Sequence, residues 1–266
     1  MTKLGLFATF ARLAEPPEPG TGAWRIRTDD GREGVVLMEA GRLCWANDDL
    51  GSRLSEQIER RFGVSRAVID QVSRACRESG KPFGATLVEL GHLTQPQLSA
   101  ALREHTCRSI LSLVKAGIRD CDWVPHQGAG YAPETTISVT QAACRCVALV
   151  KGLAAERLED ALETMLGSDA AGMLIHVGSR LPYAASAATM TWQHLRSWLT
   201  WTLRVDTLCP LPSRGYATGR GAGGGWVMWR AGDVVGIAVT AGDDAQRRLL
   251  LRVASTIADW AVEQPS

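Results

Sequence analysis

His105, Cys107, Cys121 and His126 carry the donor atoms of a zinc set, and Cys144-x-Cys146 offers a further pair of thiols. Neither group has the Cys-x-x-Cys or His-x-x-x-His spacing that would aim two donors at one metal. Cys144 and Cys146 fall two apart in a helical stretch, so their side chains leave different faces. Buried or half-buried thiols are therefore expected, with no metal and no cofactor. The run Gly219-Arg-Gly-Ala-Gly-Gly-Gly225 has the glycines of a phosphate loop. It lacks the following Lys-Ser/Thr and leads into a strand rather than a helix N-terminus, so a hairpin loop is the expectation. The five histidines are scattered, and no carboxylates cluster at a telling spacing. Nothing qualifies as a nucleophile or general base, and the chain is read as a non-enzyme. Trp192, Trp198 and Trp201 share one helical stretch. Trp192 lines up with Leu195 and Leu199, whereas Trp198 and Trp201 open a neighbouring stripe with Val205. One stripe must cover a core. The other either widens that core or forms an interface, where large aromatic anchors are also enriched.

The elements that would hold these residues fall into two regimes. Residues 4–14 read as a short amphipathic helix, followed by a Pro/Gly linker over 15–22. Asp30-Gly31 and Ala40-Gly41 are turn signals between alternating segments. They predict a three-stranded antiparallel meander, with Trp24, Ile26, Val36 and Trp45 on its buried face. From Leu50 to about Lys115 the pattern is helical. Thr94 and Gln97 form a capping box ahead of the stripe Leu98, Ala101, Leu102, after a helix that ends at Gly91. A weaker copy lies 29 residues upstream, with Ser65 matching Thr94, Ile69 matching Leu98 and Val72 matching Ala101. Cys121–Pro125 is a further short strand, and 137–162 is helical with a break at Gly152. The remainder reads helix (156–166), two strands (172–177 and 183–187), helix (191–208), three strands (216–218, 226–230 and 234–240), helix (243–262). The acidic pair Asp243-Asp244 suits the last helix start. This order predicts an α+β fold with one antiparallel sheet in the C-terminal half.

Composition narrows the function classes. At 266 residues the chain is comfortable as two domains, and its 45% apolar and 21% charged residues are ordinary for a globular protein. A net charge of +1 supplies no basic field, so nucleic acid and anionic membrane are not expected partners. Seven cysteines without framework spacing suit a reducing compartment. The apolar start is interrupted by Arg12 and stopped by Glu15-Pro-Pro-Glu-Pro19, too early for a signal peptide. No apolar run approaches a membrane span, so a cytoplasmic protein is expected.

Two resemblances follow from these residues. The stretch Thr21-Gly22-Ala23-Trp24 through Glu39-Ala40-Gly41-Arg42 and Ala46, with the helix pairs after it, resembles a bacterial PATAN-type regulatory domain over about residues 4–152. The helix pairs at 50–105 also resemble the N-terminal module of secretion-type ATPases, some of which bind cyclic di-GMP. That resemblance implies ligand-binding roles for Gly51, Leu54, Gly84, Leu87, Val88, Gly91 and Leu93. Pro82-Phe83 stands where the family has Arg-Leu, His92 replaces an apolar residue, and Leu50-Gly51 again lacks the arginine. Without a guanidinium the bidentate partner of a phosphate or guanine is gone. The element order of 154–263 resembles the roadblock/LC7 domain, members of which often dimerise and act beside small Ras-like GTPases in bacteria. Together the resemblances imply a regulatory domain at 1–152 and a roadblock/profilin-like α-β-β-α-β-β-β-α domain at 153–266. They imply a signalling adaptor, a homodimer through the C-terminal domain and a small Ras-like GTPase as partner. In that domain Trp192, Trp198, Trp201 and Val205 become interface candidates. A cyclic-dinucleotide receptor and a purely structural oligomeric scaffold are the alternatives.

Overall fold

A computed structural model describes residues 3–18, 20–49, 53–128, 130–176, 181–186, 190–208, 211–212, 214–221 and 224–263. It is a mixed α/β protein whose two sheets are antiparallel throughout, divided into compact units at Met1–Ala142 and Ala143–Ser266. Among the described residues no helix is long and apolar enough to cross a membrane.

The first unit opens with helix α1 (Lys3–Leu13), which buries Leu6, Phe10 and Leu13 on one face. The meander follows as β1 (Gly22–Thr28), β2 (Glu33–Glu39) and β3 (Arg42–Asp48). Its turns use positive φ at Gly31 and at the Ala40-Gly41 pair, as the turn residues require. A fourth strand, β4 (Ile118–Pro125), adds to β1 and gives the order β3-β2-β1-β4. It starts three residues earlier than the alternation suggests, because Ile118 already pairs with Thr28 across a bulge. Trp24, Ile26 and Val36 are buried as expected. Trp45 is only half-buried; a bulge between Leu37 and Met38 shifts the register beside it.

The helical stretch contains α2 (Leu54–Phe62), α3 (Arg66–Ser79), α4 (Phe83–Glu89) and α5 (Gln95–Ala116). The capping box at α5 is complete: Gln97 N donates to the Thr94 hydroxyl, and the Gln97 side chain accepts from Thr94 N at 2.8 Å. Ser65 caps α3 by accepting from Val68 N. Both repeat copies converge on one core, since Ile58, Val64, Ile69, Val72, Leu87, Leu93, Leu98 and Ala101 form a single buried cluster. The repeat thus has a packing origin: two amphipathic pairs each lack a full core and share one. Helix α5 continues along β3, and Gly34 on β2 gives Leu113 room to lie against the strand.

Helix α6 (Val139–Val150) and helix α7 (Ala155–Leu166) are separated by Gly152 at φ 70°, at the break the sequence suggests. The second unit continues with β5 (Ala170–His176), β6 (Leu181–Ala185), α8 (Trp192–Leu208), β7 (Arg214–Gly221), β8 (Gly224–Ala231), β9 (Val234–Thr240) and α9 (Asp243–Glu263). Its sheet runs β6-β5-β9-β8-β7, so the last strand sits centrally between the two hairpins. Helix α7 packs on β5 and β6, and α9 on β8 and β9.

The glycine run at 219–225 corrects an expectation. Strands β7 and β8 continue to Gly221 and Gly224, leaving only residues 222 and 223 between them, both outside the described residues. Most of the run is strand rather than loop. The cause is aromatic: the Trp226 ring lies where a Cβ on Gly219 would stand, so glycine is needed within the ladder. Gly225 likewise faces the Gln246 side chain of α9.

Candidate functional site

The residues singled out in the helix repeats are mainly framework. Leu87 and Leu93 are buried, while Leu54 and Val88 pack against the same apolar cluster. Gly84 is held close to α5, with Leu98 Cδ1 2.8 Å from where a Cβ would be. Gly91 forms the turn out of α4 at φ 72° and donates its N–H to the Val88 carbonyl. Gly51 lies outside the described residues. Each described position therefore has a packing or turn reason for its residue type.

The first unit also holds a buried polar group that periodicity does not announce. His105 on α5 is 2% exposed and stacks on Trp45, with ring centroids 4.4 Å apart. Neither ring nitrogen has a hydrogen bond of good geometry, although the Ala46 carbonyl and the Asp48 carboxylate lie close enough to favour a proton. Burial outweighs both and moves the imidazole pKa below its ordinary value. Asp48 is itself buried and has Arg32 Nη1 3.8 Å from Oδ2; Arg32 also donates to Asp30 and Ser112. At the rim of α5, burial opposes the Glu104 charge, but Arg108 and Arg61 together hold its pKa below the usual carboxylate value.

Cys44, Cys76, Cys107, Cys121, Cys144 and Cys146 are not joined in disulfides, and all but Cys76 are buried. Burial pushes the Cys44 thiol up to about 11 and the Cys121 and Cys144 thiols upward as well, away from thiolate reactivity. Among the described residues no group of His, Cys, Asp or Glu comes together in a way that could hold a metal ion.

The second unit presents a different kind of surface. On α8, Trp192, Leu195 and Thr202 are buried, Trp198 and Leu199 are half-buried, and Trp201 is 37% exposed. The helix thus has a core stripe with an aromatic flank. The Val205 side chain lies outside the described residues. The Trp198 ring stacks on His194 with centroids 6.2 Å apart, and Trp201 meets Trp226 of β8 edge-on at 5.0 Å. Trp226 packs on the small cluster of Leu211, Met228 and Val235. Its neighbour Gly225 faces α9, so strand alternation puts α8 and α9 on opposite faces of the sheet.

Beside this flank β7 is the edge strand, and among the described residues its ladder runs to β8 alone. Its Tyr216 is 56% exposed. The edge is braced from the α9 side, where Gln246 Nε2 donates to the carbonyls of Gly219 at 3.1 Å and Trp226 at 3.0 Å, and Arg220 pairs with Asp243. The result is a braced, eight-residue edge with a partly exposed tryptophan, Trp201, packed on the neighbouring strand. Sequence reasoning found the tryptophan stripe but not the edge, because Trp226 and Tyr216 reach it only through the strand order.

No protein-family model matches this chain, and no curated protein matches it in sequence.

Proposed function

We propose that this chain is a non-catalytic bacterial signalling adaptor that acts through protein surfaces. In this reading residues 153–266 are a roadblock/LC7-like module and residues 1–152 a PATAN-like regulatory domain. The element order from α7 to α9 supports the first assignment: one helix, two strands, a helix, three strands and a closing helix. The meander followed by two helix pairs supports the second.

The observation that carries the functional reading is the edge of β7 with Trp201 beside it. An edge strand offers a row of unspent N–H and C=O groups, and half-exposed tryptophans supply apolar anchors next to it. A second copy pairing there would extend the sheet and cover Trp201 on its α8 face and Tyr216 on its α9 face. The dimer would then offer a small Ras-like GTPase a composite surface. Light scattering of the purified chain should give twice the monomer mass, and Trp201→Glu should return it to the monomer mass with its far-UV spectrum intact. A wild-type monomer at micromolar concentration removes the dimer. Pull-down with the Ras-like GTPases of the host, loaded with GTP or GDP, tests the partner; binding in neither state removes it.

A further inference from the structure

A cavity of about 330 Å³ opens between α1, the C-terminal end of α5 and the start of β4. That volume is at the lower end for small-molecule pockets, roughly 300–1,000 Å³. The helix that roofs it is turned so that Leu6, Phe10 and Leu13 enter the core, which leaves Gly5, Ala8, Thr9 and Arg12 along its flank. Small residues at three of those four positions leave the space beside β4 unfilled. Val114 and Ile118 add apolar wall, and buried Cys121 forms part of the floor.

Arg12 is the only charged side chain among the lining residues. Its side chain is exposed but tethered. Its Nη2 donates to the Cys121 carbonyl at 2.6 Å, and its guanidinium carbon lies 5.7 Å from the Trp24 ring centroid. A guanidinium fixed at one corner by a backbone carbonyl and stacked on an indole has lost most of its rotamer freedom before any ligand arrives. The remaining N–H groups of such a fork suit a carboxylate. Nothing anionic competes from the lining: burial raises the Cys121 pKa, so the thiol stays neutral, and the Asp29 carboxylate against Gly117 is not part of the wall. The Thr9 hydroxyl is occupied by the Gly5 carbonyl.

From this combination we infer that the cavity is a binding site for a small monocarboxylate with an apolar tail, its head on Arg12 and its tail against Ala8, Val114 and Ile118. The site lies wholly in the first unit and does not rest on the adaptor reading. A ligand there would clamp α1 to β4, so occupancy would be reported as added stability of the first unit.

The test is calorimetric titration of octanoate into the full chain, with octanamide as the uncharged control of nearly the same shape. Octanoate should bind at least tenfold more tightly than octanamide. Arg12→Gln should erase that preference, and Ala8→Leu, a change at an exposed position, should narrow the cavity and weaken binding at least tenfold with the thermal melt of the free protein preserved. No heat from octanoate, equal affinity for the two probes, or unchanged binding in Ala8→Leu would each overturn the inference.

Discussion

Tryptophan and glycine are coupled in this protein at the level of single side chains. Trp229 on β8 stands opposite Gly236 on β9, and its ring occupies the space a Cβ on Gly236 would take. Gly219 with Trp226 repeats the arrangement, and the Trp123 ring covers Gly22 diagonally across the β1–β4 ladder. A glycine within a ladder ordinarily weakens it, but an aromatic ring laid across the bare backbone recovers packing area. Gly236→Ala should therefore destabilise by about 1–3 kcal/mol, because the fully buried Trp229 has nowhere to move. A denaturant melt measures this, and an unchanged midpoint would show that the ring relocates. His105 makes the residue scale pH-sensitive. Its folded pKa lies below the ordinary 6.5, so the unfolded chain takes up a proton that the folded one refuses. Its contribution to stability is complete above 6.5 and is lost as pH falls through that value towards the folded pKa. Thermal melts of His105→Phe between pH 7.5 and 5 should show a smaller loss of stability on acidification than the wild type. Equal slopes would show that His105 does not set the pH dependence.

Among the elements, the connection from α6 to α7 depends on charge. Arg145 on α6 is nearly buried and makes a two-pronged contact with Glu159 of α7, Nε donating at 2.8 Å to Oε1 and Nη2 to Oε2; Glu156 lies 3.7 Å from Nη1. Removing one member of a buried pair strands the other, which costs roughly 3–5 kcal/mol, whereas replacing both with apolar residues is often neutral. Arg145→Met should destabilise by that amount, and Arg145→Met with Glu159→Leu should recover most of it in the same chemical melt. If the double variant is as unstable as the single, the pair contributes more than its own charge compensation. Elements of this chain were legible in proportion to how local their signals are. Caps at Ser65 and Thr94, the turns at Gly31 and Gly41 and the break at Gly152 follow from neighbouring residues, and each stands where the spacing puts it. The Arg145–Glu159 pair, the influence of Asp48 on His105 and the strand character of Gly219–Gly225 each join residues brought together by tertiary structure. Periodicity is blind to them. The same limit applies to the α8 and β7 surface, whose tryptophan stripe is local and whose sheet edge is not.

At the scale of the molecule, helix α6 decides where the chain can be divided. The compact units meet between Ala142 and Ala143, inside that helix, whereas the linker signal at Gly152 falls after it. The residues past 142 explain the difference. Arg145 satisfies Glu159, and Glu159 belongs to α7, whose Leu162, Met165 and Leu166 are buried and which packs on β5 and β6. A fragment that starts at 153 keeps every strand of the second sheet but loses the guanidinium that neutralises Glu159. It also loses the apolar turn around Val147 and Ala148, both buried in the intact chain. A fragment that starts at 143 keeps all of these. Fragment 143–266 should therefore melt cooperatively and at a higher temperature than fragment 153–266. In the longer fragment alone, Glu159→Ala should be strongly destabilising, because it removes the two-pronged partner of the buried Arg145; in the shorter one the same change should cost far less. Circular dichroism melts of the four proteins check both statements, and equal sensitivity to Glu159→Ala in the two fragments would show that the C-terminal half of α6 is not structurally part of the second unit.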